Sequence, residues 1–116
     1  MTQQWIDYCL TKRGTSLTTP FGPEVIVMKV GTKMYALFPS DGTPTVSLKC
    51  DPLRADLLRE QYPEITPGYH LNKQHWNTVA LDGNLAKADI QGLIDHSYEL
   101  VVKKMTKAER ESLMLA

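Results

Sequence analysis

Three strand-like segments joined by short turns constrain the fold of this chain more than any other feature. Residues 24–30 (EVIVMKV) and 33–38 (KMYALF) are separated by only two residues, Gly-Thr, a spacing that predicts a tight β-hairpin. The sequence PSDGTP then has the composition of a second turn and leads into residues 45–50 (TVSLKC). We therefore predict three consecutive antiparallel strands.

The third of these segments alternates between apolar and polar residues, which predicts a sheet with one buried and one solvent-facing side. The apolar set is Val46, Leu48 and Cys50, and the polar set is Thr45, Ser47 and Lys49. By the same alternation we expect Val25, Val27 and Lys29 to share the solvent-facing side in the first strand. A fourth strand is predicted over residues 76–81 (WNTVAL), with Val79 and Leu81 facing the core and Trp76, Thr78 and Ala80 facing away.

The segments before and after these strands show the periodicity of helices. Thr2 is the predicted N-cap of a first helix that ends near Gly14, and residues 15–24 (TSLTTPFGPE) are predicted to be irregular. The predicted buried residues of this helix are Trp5, Ile6, Cys9 and Leu10.

Asp51 and Pro52 begin a second predicted helix, which ends before Pro63; Pro67 and Gly68 predict an irregular segment after it. Its predicted buried stripe is Leu53, Leu57, Leu58 and Tyr62. A long helix is predicted over residues 87–105, and the capping box at 106–109 (TKAE) predicts a short terminal helix. The order α-β-β-β-α-β-α-α gives an α+β fold whose helices cover one face of an antiparallel sheet.

Size and charge limit the possible functions. The chain has 116 residues, and 13 basic residues balance 13 acidic residues, so any affinity for nucleic acid must come from a local patch. No apolar run is long enough to span a membrane, and the N-terminus lacks the pattern of a signal peptide. We therefore expect a single cytoplasmic domain, residues 1–116, with Cys9 and Cys50 as reduced core thiols.

The segment 68–83 (GYHLNKQHWNTVALDG) concentrates histidine, tryptophan and amide side chains, and it admits several interpretations. Zinc ligation by His70, His75, Cys50 and Asp51 is disfavoured because the two histidines are five residues apart and no second pair completes the set. Catalysis by Cys50 with either histidine is disfavoured because Cys50 shares the apolar side of its strand. We therefore predict no metal, no cofactor and no enzymatic activity.

A structural role explains much of the same segment. Asn72 is predicted to cap one turn that delivers the chain into the strand at Trp76, while His70 bonds to the backbone of the irregular connection. Trp76 fits either the core or the exposed face.

The solvent-facing side of the sheet combines lysines, hydroxyls and aromatic rings, which suits phosphate contacts and base stacking. It also suits an acidic protein surface, and lysines on such a face commonly serve only solubility. The candidate nucleic-acid-binding residues are Lys29, Lys33, Tyr35, Ser47, Lys49, Lys73, His75, Trp76 and Thr78.

Three segments, VSLKCDP, HLNKQHWNTVALDG and LIDHSYELVVKKM, together resemble the MmcQ/YjbR-like bacterial proteins. The resemblance implies a fold similar to that of CyaY, the bacterial frataxin homologue. It also implies DNA as the partner, contacted by sheet hairpins in a "double wing" arrangement. The alternative is an adaptor that binds a protein or a small ligand through the same face. We expect a monomer, although a mixed sheet face can also form a dimer interface.

Overall fold

The strands form one antiparallel sheet in the computed structural model, which describes residues 1–68 and 71–115. They are β1 (Thr15–Thr18), β2 (Val25–Val30), β3 (Lys33–Pro39), β4 (Thr45–Lys49), β5 (Ile65–Pro67) and β6 (Trp76–Ala80). Their spatial order is β1-β2-β3-β4-β6-β5, and all neighbouring pairs run antiparallel. The helices of the described residues are α1 (Thr2–Leu10), α2 (Pro52–Gln61), α3 (Lys87–Lys103) and α4 (Lys107–Ser112). The predicted α+β class is confirmed.

The main hydrophobic core lies between the helices and one face of the sheet. Trp5, Ile6 and Cys9 of α1 belong to the same buried cluster as Ile90, Leu93, Ile94 and Val101 of α3. The strands contribute Met28, Val30, Ala36, Phe38, Val46, Leu48 and Val79. A separate, smaller cluster on the opposite face consists of Val27, Leu37 and Trp76. The helices therefore cover one face and leave the other open, as the alternation in β4 and β6 predicts.

Two edge strands were not predicted. β1 forms within the segment 15–24, because its backbone pairs with β2 in the register Thr15↔Val30. Its sequence TSLT has no apolar alternation, so only the pairing partner reveals it. β5 pairs with β6 at the other edge and ends at Pro67, a residue that is tolerated on an edge strand.

Helix caps are predicted well where a side chain makes the cap. The Asp51 carboxylate accepts hydrogen bonds from the backbone N–H groups of Leu53 and Arg54 at the start of α2. Thr106 and Glu109 form the predicted capping box of α4. The prediction for α1 was wrong, because Met1 is the N-cap residue and no side chain caps this helix.

The buried side of α2 also differs from the prediction. Leu53 and Leu57 are 79% and 63% exposed, while Ala55 is fully buried and Leu58 packs against the core. From the same helix, the Arg59 guanidinium donates hydrogen bonds to Lys73, Trp76 and Asn77. In α1, Leu10 was likewise predicted to be buried but is exposed.

A polar link joins the end of α1 to α3. Asp95 accepts a hydrogen bond from the Tyr8 hydroxyl at 2.6 Å and pairs with the Lys12 ammonium at 2.5 Å. Burial raises the pKa of Asp95, but the hydrogen bonds from Lys12 and Tyr8 outweigh burial and leave the pKa below its usual value. The hydrogen bond to Asp95, together with burial, raises the pKa of Tyr8 to about 12.

Candidate nucleic-acid interface

A β-bulge at Tyr35 determines which residues of β3 reach the open face. Met28 pairs with Ala36 but Lys29 pairs with Met34, so Tyr35 is the additional residue on β3. The bulge turns Tyr35 and Ala36 toward the helices together, and Tyr35 is fully buried.

The predicted exposure of Tyr35 on the open face is therefore wrong. Its hydroxyl donates to the Cys9 carbonyl at 3.2 Å and lies 2.8 Å from the Thr15 hydroxyl. Burial raises the pKa of Tyr35. The residue ties β3 to α1 and β1, and its ring is not available to a base.

Ser97 of α3 separates β3 from β4 beside the bulge. The two strands pair at Leu37↔Ser47 and Ala36↔Leu48, and the next pair in this register would be Tyr35 and Lys49. Instead, the Ser97 hydroxyl accepts from the Lys49 N–H at 2.9 Å and donates to the Tyr35 carbonyl at 2.6 Å. A helix side chain thus replaces a strand-to-strand hydrogen bond and holds this end of the sheet open.

A basic cleft lies at this open end, between the end of β4 and the last turns of α3. It has a volume of about 360 Å³. Its lining residues are Lys49, Cys50, Asp51, Pro52, His75, Leu100, Lys103 and Lys104, hereafter the basic cleft.

The charges in the basic cleft act on one another. Burial lowers the pKa of Lys49, and the positive charges of Lys104 and Lys33 lower it further. Lys33, at the start of β3, is therefore close enough to add its charge to the cluster. Within residues 1–68 and 71–115, no ion pair neutralises Lys33, Lys49, Lys103 or Lys104. Asp51 lines the cleft, but its carboxylate caps α2.

The segment 72–76 is a tied turn, as predicted from Asn72. The Asn72 side chain accepts from the Gln74 N–H at 2.9 Å, and its carbonyl accepts from the N–H groups of His75 and Trp76. His70, which was predicted to bond to the backbone of the same connection, lies outside the described residues.

Arg59 of α2 also holds this turn in place. Its guanidinium donates to the Asn77 side chain at 2.6 Å, to the Trp76 carbonyl at 3.1 Å and to the Lys73 carbonyl. The His75 carbonyl accepts from the Cys50 N–H at 2.8 Å, and His75 itself reaches the basic cleft. These contacts hold His75 beside Lys49. The Lys73 side chain is exposed.

Trp76 faces away from the helices, as the alternation predicts, but it is only 6% exposed. It packs with Val27 and Leu37, and Leu71 lies against this cluster. The structure therefore resolves the two interpretations of Trp76 in favour of burial, and its indole cannot stack on a base in this conformation. Lys29 is half-buried on the open face beside Met34.

Ser47 and Thr78 occupy a second depression on the open face, which we call the open-face pocket. Their hydroxyls are 3.2 Å apart, and both side chains are half-buried. The pocket has a volume of about 390 Å³ and is lined by Phe21, Val25, Leu37, Phe38, Pro39, Thr45, Ser47, Leu71 and Thr78. It shares no residue with the basic cleft.

Cys50 and His96 both line a small cavity between β4 and α3. Cys50 is 4% exposed, and burial raises the pKa of its thiol. His96 Nε2 accepts from the Asp51 N–H at 3.3 Å, and burial lowers the pKa of this histidine. Across residues 1–68 and 71–115, no group of three or more His, Cys, Asp or Glu residues is arranged to hold a metal ion.

Sequence reasoning missed Ser97, Lys103 and Lys104 as contributors to the site. Ser97 is a polar residue within the apolar stripe of α3, and that break in the stripe was an available signal. The two lysines resemble ordinary solvated residues at the end of a helix. Only the packing of α3 against the open end of the sheet brings them to Lys49.

Comparison with known proteins identifies the family. The model of the YjbR family matches residues 10–100, so the chain belongs to the YjbR family. It is 36% identical over 110 residues to the uncharacterised protein YjbR of Escherichia coli K12, covering 94% of this chain and 93% of that protein. It is 40% identical over 96 residues to the uncharacterised protein YbdF of Escherichia coli O157:H7, covering 82% and 79%.

Solved structures show the same architecture. The crystal structure of the Deinococcus radiodurans protein DR2400, with a DUF419 domain, superimposes with a TM-score of 0.92 at 42% identity and covers all of this chain and 89% of that one. A crystal structure of a Pseudomonas syringae protein gives a TM-score of 0.73 at 34% identity, covering 86% and 97%. Among the described residues, no helix combines the length and apolar character needed to cross a bilayer.

Proposed function

We propose that this member of the YjbR family is a non-enzymatic DNA-binding protein that contacts the phosphate backbone through its basic cleft. The observation that carries the proposal is the convergence of Lys49, Lys103, Lys104 and His75 on one cleft, with Lys33 adding its charge. Lysine side chains of this kind are the usual partners of phosphate oxygens, and their contacts position a protein on DNA without reading its sequence.

The cluster explains how a chain of zero net charge can attract a polyanion. Screening at physiological salt limits attraction between exposed charges to about 8 Å, so local charge matters more than the total. Burial is the main reason that the pKa of Lys49 is lowered, but the charges of Lys104 and Lys33 lower it further, which supports a region of positive potential. A bound phosphate would relieve the repulsion among these lysines, so binding is favoured most where the cluster is densest.

The finer features of the proposal concern how DNA reaches the cleft. The β2–β3 turn at Gly31 and Thr32 leads directly into Lys33, so this hairpin acts as one wing of a double-wing contact. The protein acts in the cytoplasm as a monomer, and its architecture is of the CyaY type. This arrangement requires no base stacking on Tyr35 or Trp76, which are both buried.

Fluorescence anisotropy of a labelled 20-base-pair duplex at several salt concentrations tests the proposal. Each phosphate contact contributes about −0.9 to the slope of log affinity against log salt, so four lysines predict a slope of roughly −3 to −4. Between about 50 and 200 mM salt the affinity should then fall on the order of a hundredfold. A single-stranded oligomer, with a slope of about −0.7 per contact, is measured in parallel.

Paired lysine variants show whether the basic cleft is responsible. The double variant Lys103→Gln/Lys104→Gln should weaken binding and make the slope shallower by about 2. Lys87→Gln is the matched control, because Lys87 lies at the opposite end of α3, about 24 Å away at 1.5 Å per residue. Absence of binding at 50 mM salt, or equal weakening by the control, would refute the proposal.

A further inference from the structure

We propose that the open-face pocket is a binding site for a neutral aromatic small molecule that carries one hydrogen-bonding group. Its volume of about 390 Å³ lies within the range of about 300–1,000 Å³ that is typical of small-molecule sites. Such sites combine a mainly apolar lining with a few placed polar groups. This proposal is independent of DNA binding, since the pocket and the basic cleft have no lining residue in common.

The floor of the open-face pocket is set by the register of the sheet. Leu37 of β3 pairs with Ser47 of β4, and Ser47 pairs with Thr78 of β6, so these three side chains form a row across the strands. The row changes from an apolar side chain to two hydroxyls. A ligand lying along it therefore meets an apolar surface at one end and hydrogen-bonding groups at the other.

The walls of the pocket are apolar and suit a flat ring. Phe21, in the connection between β1 and β2, is 61% exposed and lines the pocket together with Pro39. Leu71, which packs against the cluster of Val27, Leu37 and Trp76, also lines it. An aromatic ligand gains contact with the Phe21 ring and removes that exposed surface from water.

The polar groups of the pocket determine what the ligand must carry. The Ser47 hydroxyl has one donor and two acceptor positions, so its bond with Thr78 leaves it able to bind a further group. Thr45 adds another hydroxyl to the lining. None of the lining residues is charged, so a charged group would lose hydration there without an ionic partner. The pocket should therefore select a neutral hydroxyl, amide or ring nitrogen over a carboxylate.

Two compounds that share one ring system test this selectivity. 2-Naphthol and 2-naphthoate are titrated separately into the ¹⁵N-labelled protein at neutral pH, and amide shifts are followed by NMR. We expect 2-naphthol to give saturable shifts at Leu37, Ser47 and Thr78, with a dissociation constant on the order of 0.1–1 mM. 2-Naphthoate should bind the pocket at least about fivefold more weakly, because of its buried charge. Shifts at Lys49 or His75 with 2-naphthoate would report the basic cleft instead.

Variants of the lining residues test whether the NMR shifts arise from binding in the open-face pocket. Ser47→Leu fills the floor and removes its hydroxyl, so binding of 2-naphthol should be lost. Phe21→Ala, at an exposed position that leaves the fold intact, should weaken binding severalfold. Ser16→Leu is the matched control, because Ser16 is an exposed strand residue outside the pocket.

Four results would overturn the proposal. The first is the absence of saturable shifts up to about 2 mM 2-naphthol, a concentration that covers the expected affinity. The second is that shifts occur only in other parts of the protein. The third is that both pocket variants bind 2-naphthol as well as the parent protein does. A preference for 2-naphthoate within the pocket would also refute it. The variant Lys103→Gln/Lys104→Gln should bind 2-naphthol like the parent protein, so failure of DNA binding leaves this test unaffected.

Discussion

The hydroxyl of Ser97 is predicted to hold the sheet open, and its removal should destabilise the protein strongly. Ser97 is fully buried, and its hydroxyl serves both the Lys49 N–H and the Tyr35 carbonyl. In Ser97→Ala both backbone groups lose this partner, the Tyr35 carbonyl in a buried setting and the Lys49 N–H in a partly buried one. An unsatisfied buried group costs about 1–3 kcal/mol. We expect a loss of about 2–4 kcal/mol in the free energy of unfolding, the lower end applying if the strands partly close.

Urea unfolding followed by tryptophan fluorescence measures this loss directly. For a domain of this size it corresponds to a decrease in Tm on the order of 10 °C. Ser112→Ala is the matched control: its hydroxyl also bonds to a backbone carbonyl, but the residue is exposed, so a change below about 0.5 kcal/mol is expected. Hydrogen exchange at the Lys49 amide gives a local measurement, since this N–H should exchange faster in Ser97→Ala. If stability falls by less than about 0.5 kcal/mol and the Lys49 amide stays protected, the assigned role of Ser97 is wrong.

Three further predictions concern the loop before β6, an open position on α3, and the link between α1 and α3. In Gly68→Ala the new Cβ would lie 2.8 Å from the Trp76 Cβ and 3.0 Å from its carbonyl oxygen, so we expect a loss of about 1–3 kcal/mol by thermal unfolding. Gly92→Ala, where no atom lies within 4 Å of the new Cβ, should instead stabilise α3 by up to about 1 kcal/mol, and destabilisation there would contradict the reasoning. The pKa of Asp95 is lowered in the folded protein, so its ionised form contributes stability above its unfolded pKa of about 3.9, and this contribution disappears as the pH falls through the folded pKa. Stability measured from pH 6 to pH 2 should therefore fall less steeply in Asp95→Asn than in the parent protein, and parallel curves would count against the Lys12–Asp95 pair.

The sequence predicts the parts of the fold that depend on local pattern. The hairpin at Gly31 and Thr32, the Asp51 cap and the stripe of α3 all follow from periodicity and turn chemistry, because each needs only neighbouring residues. The edge strand β1 does not follow, because a polar segment becomes a strand only when β2 offers its free edge. The exposure of Leu57 also escaped prediction, because the apolar pattern of α2 gives no sign of the hydrogen bonds that Arg59 makes to the distant turn before β6.

In the candidate site, too, local pattern predicts some features and misses those that depend on distant contacts. Tyr35 is the clearest example. Strict alternation along β3 places Tyr35 on the open face, but one additional residue in the strand reverses that placement. The same irregularity brings the Tyr35 carbonyl to Ser97, which separates β3 from β4 beside Lys49. The failed prediction and the basic cleft thus have one cause. A regular sheet would close the gap between these strands, and Lys49 would lie on a flat face, apart from the lysines of α3.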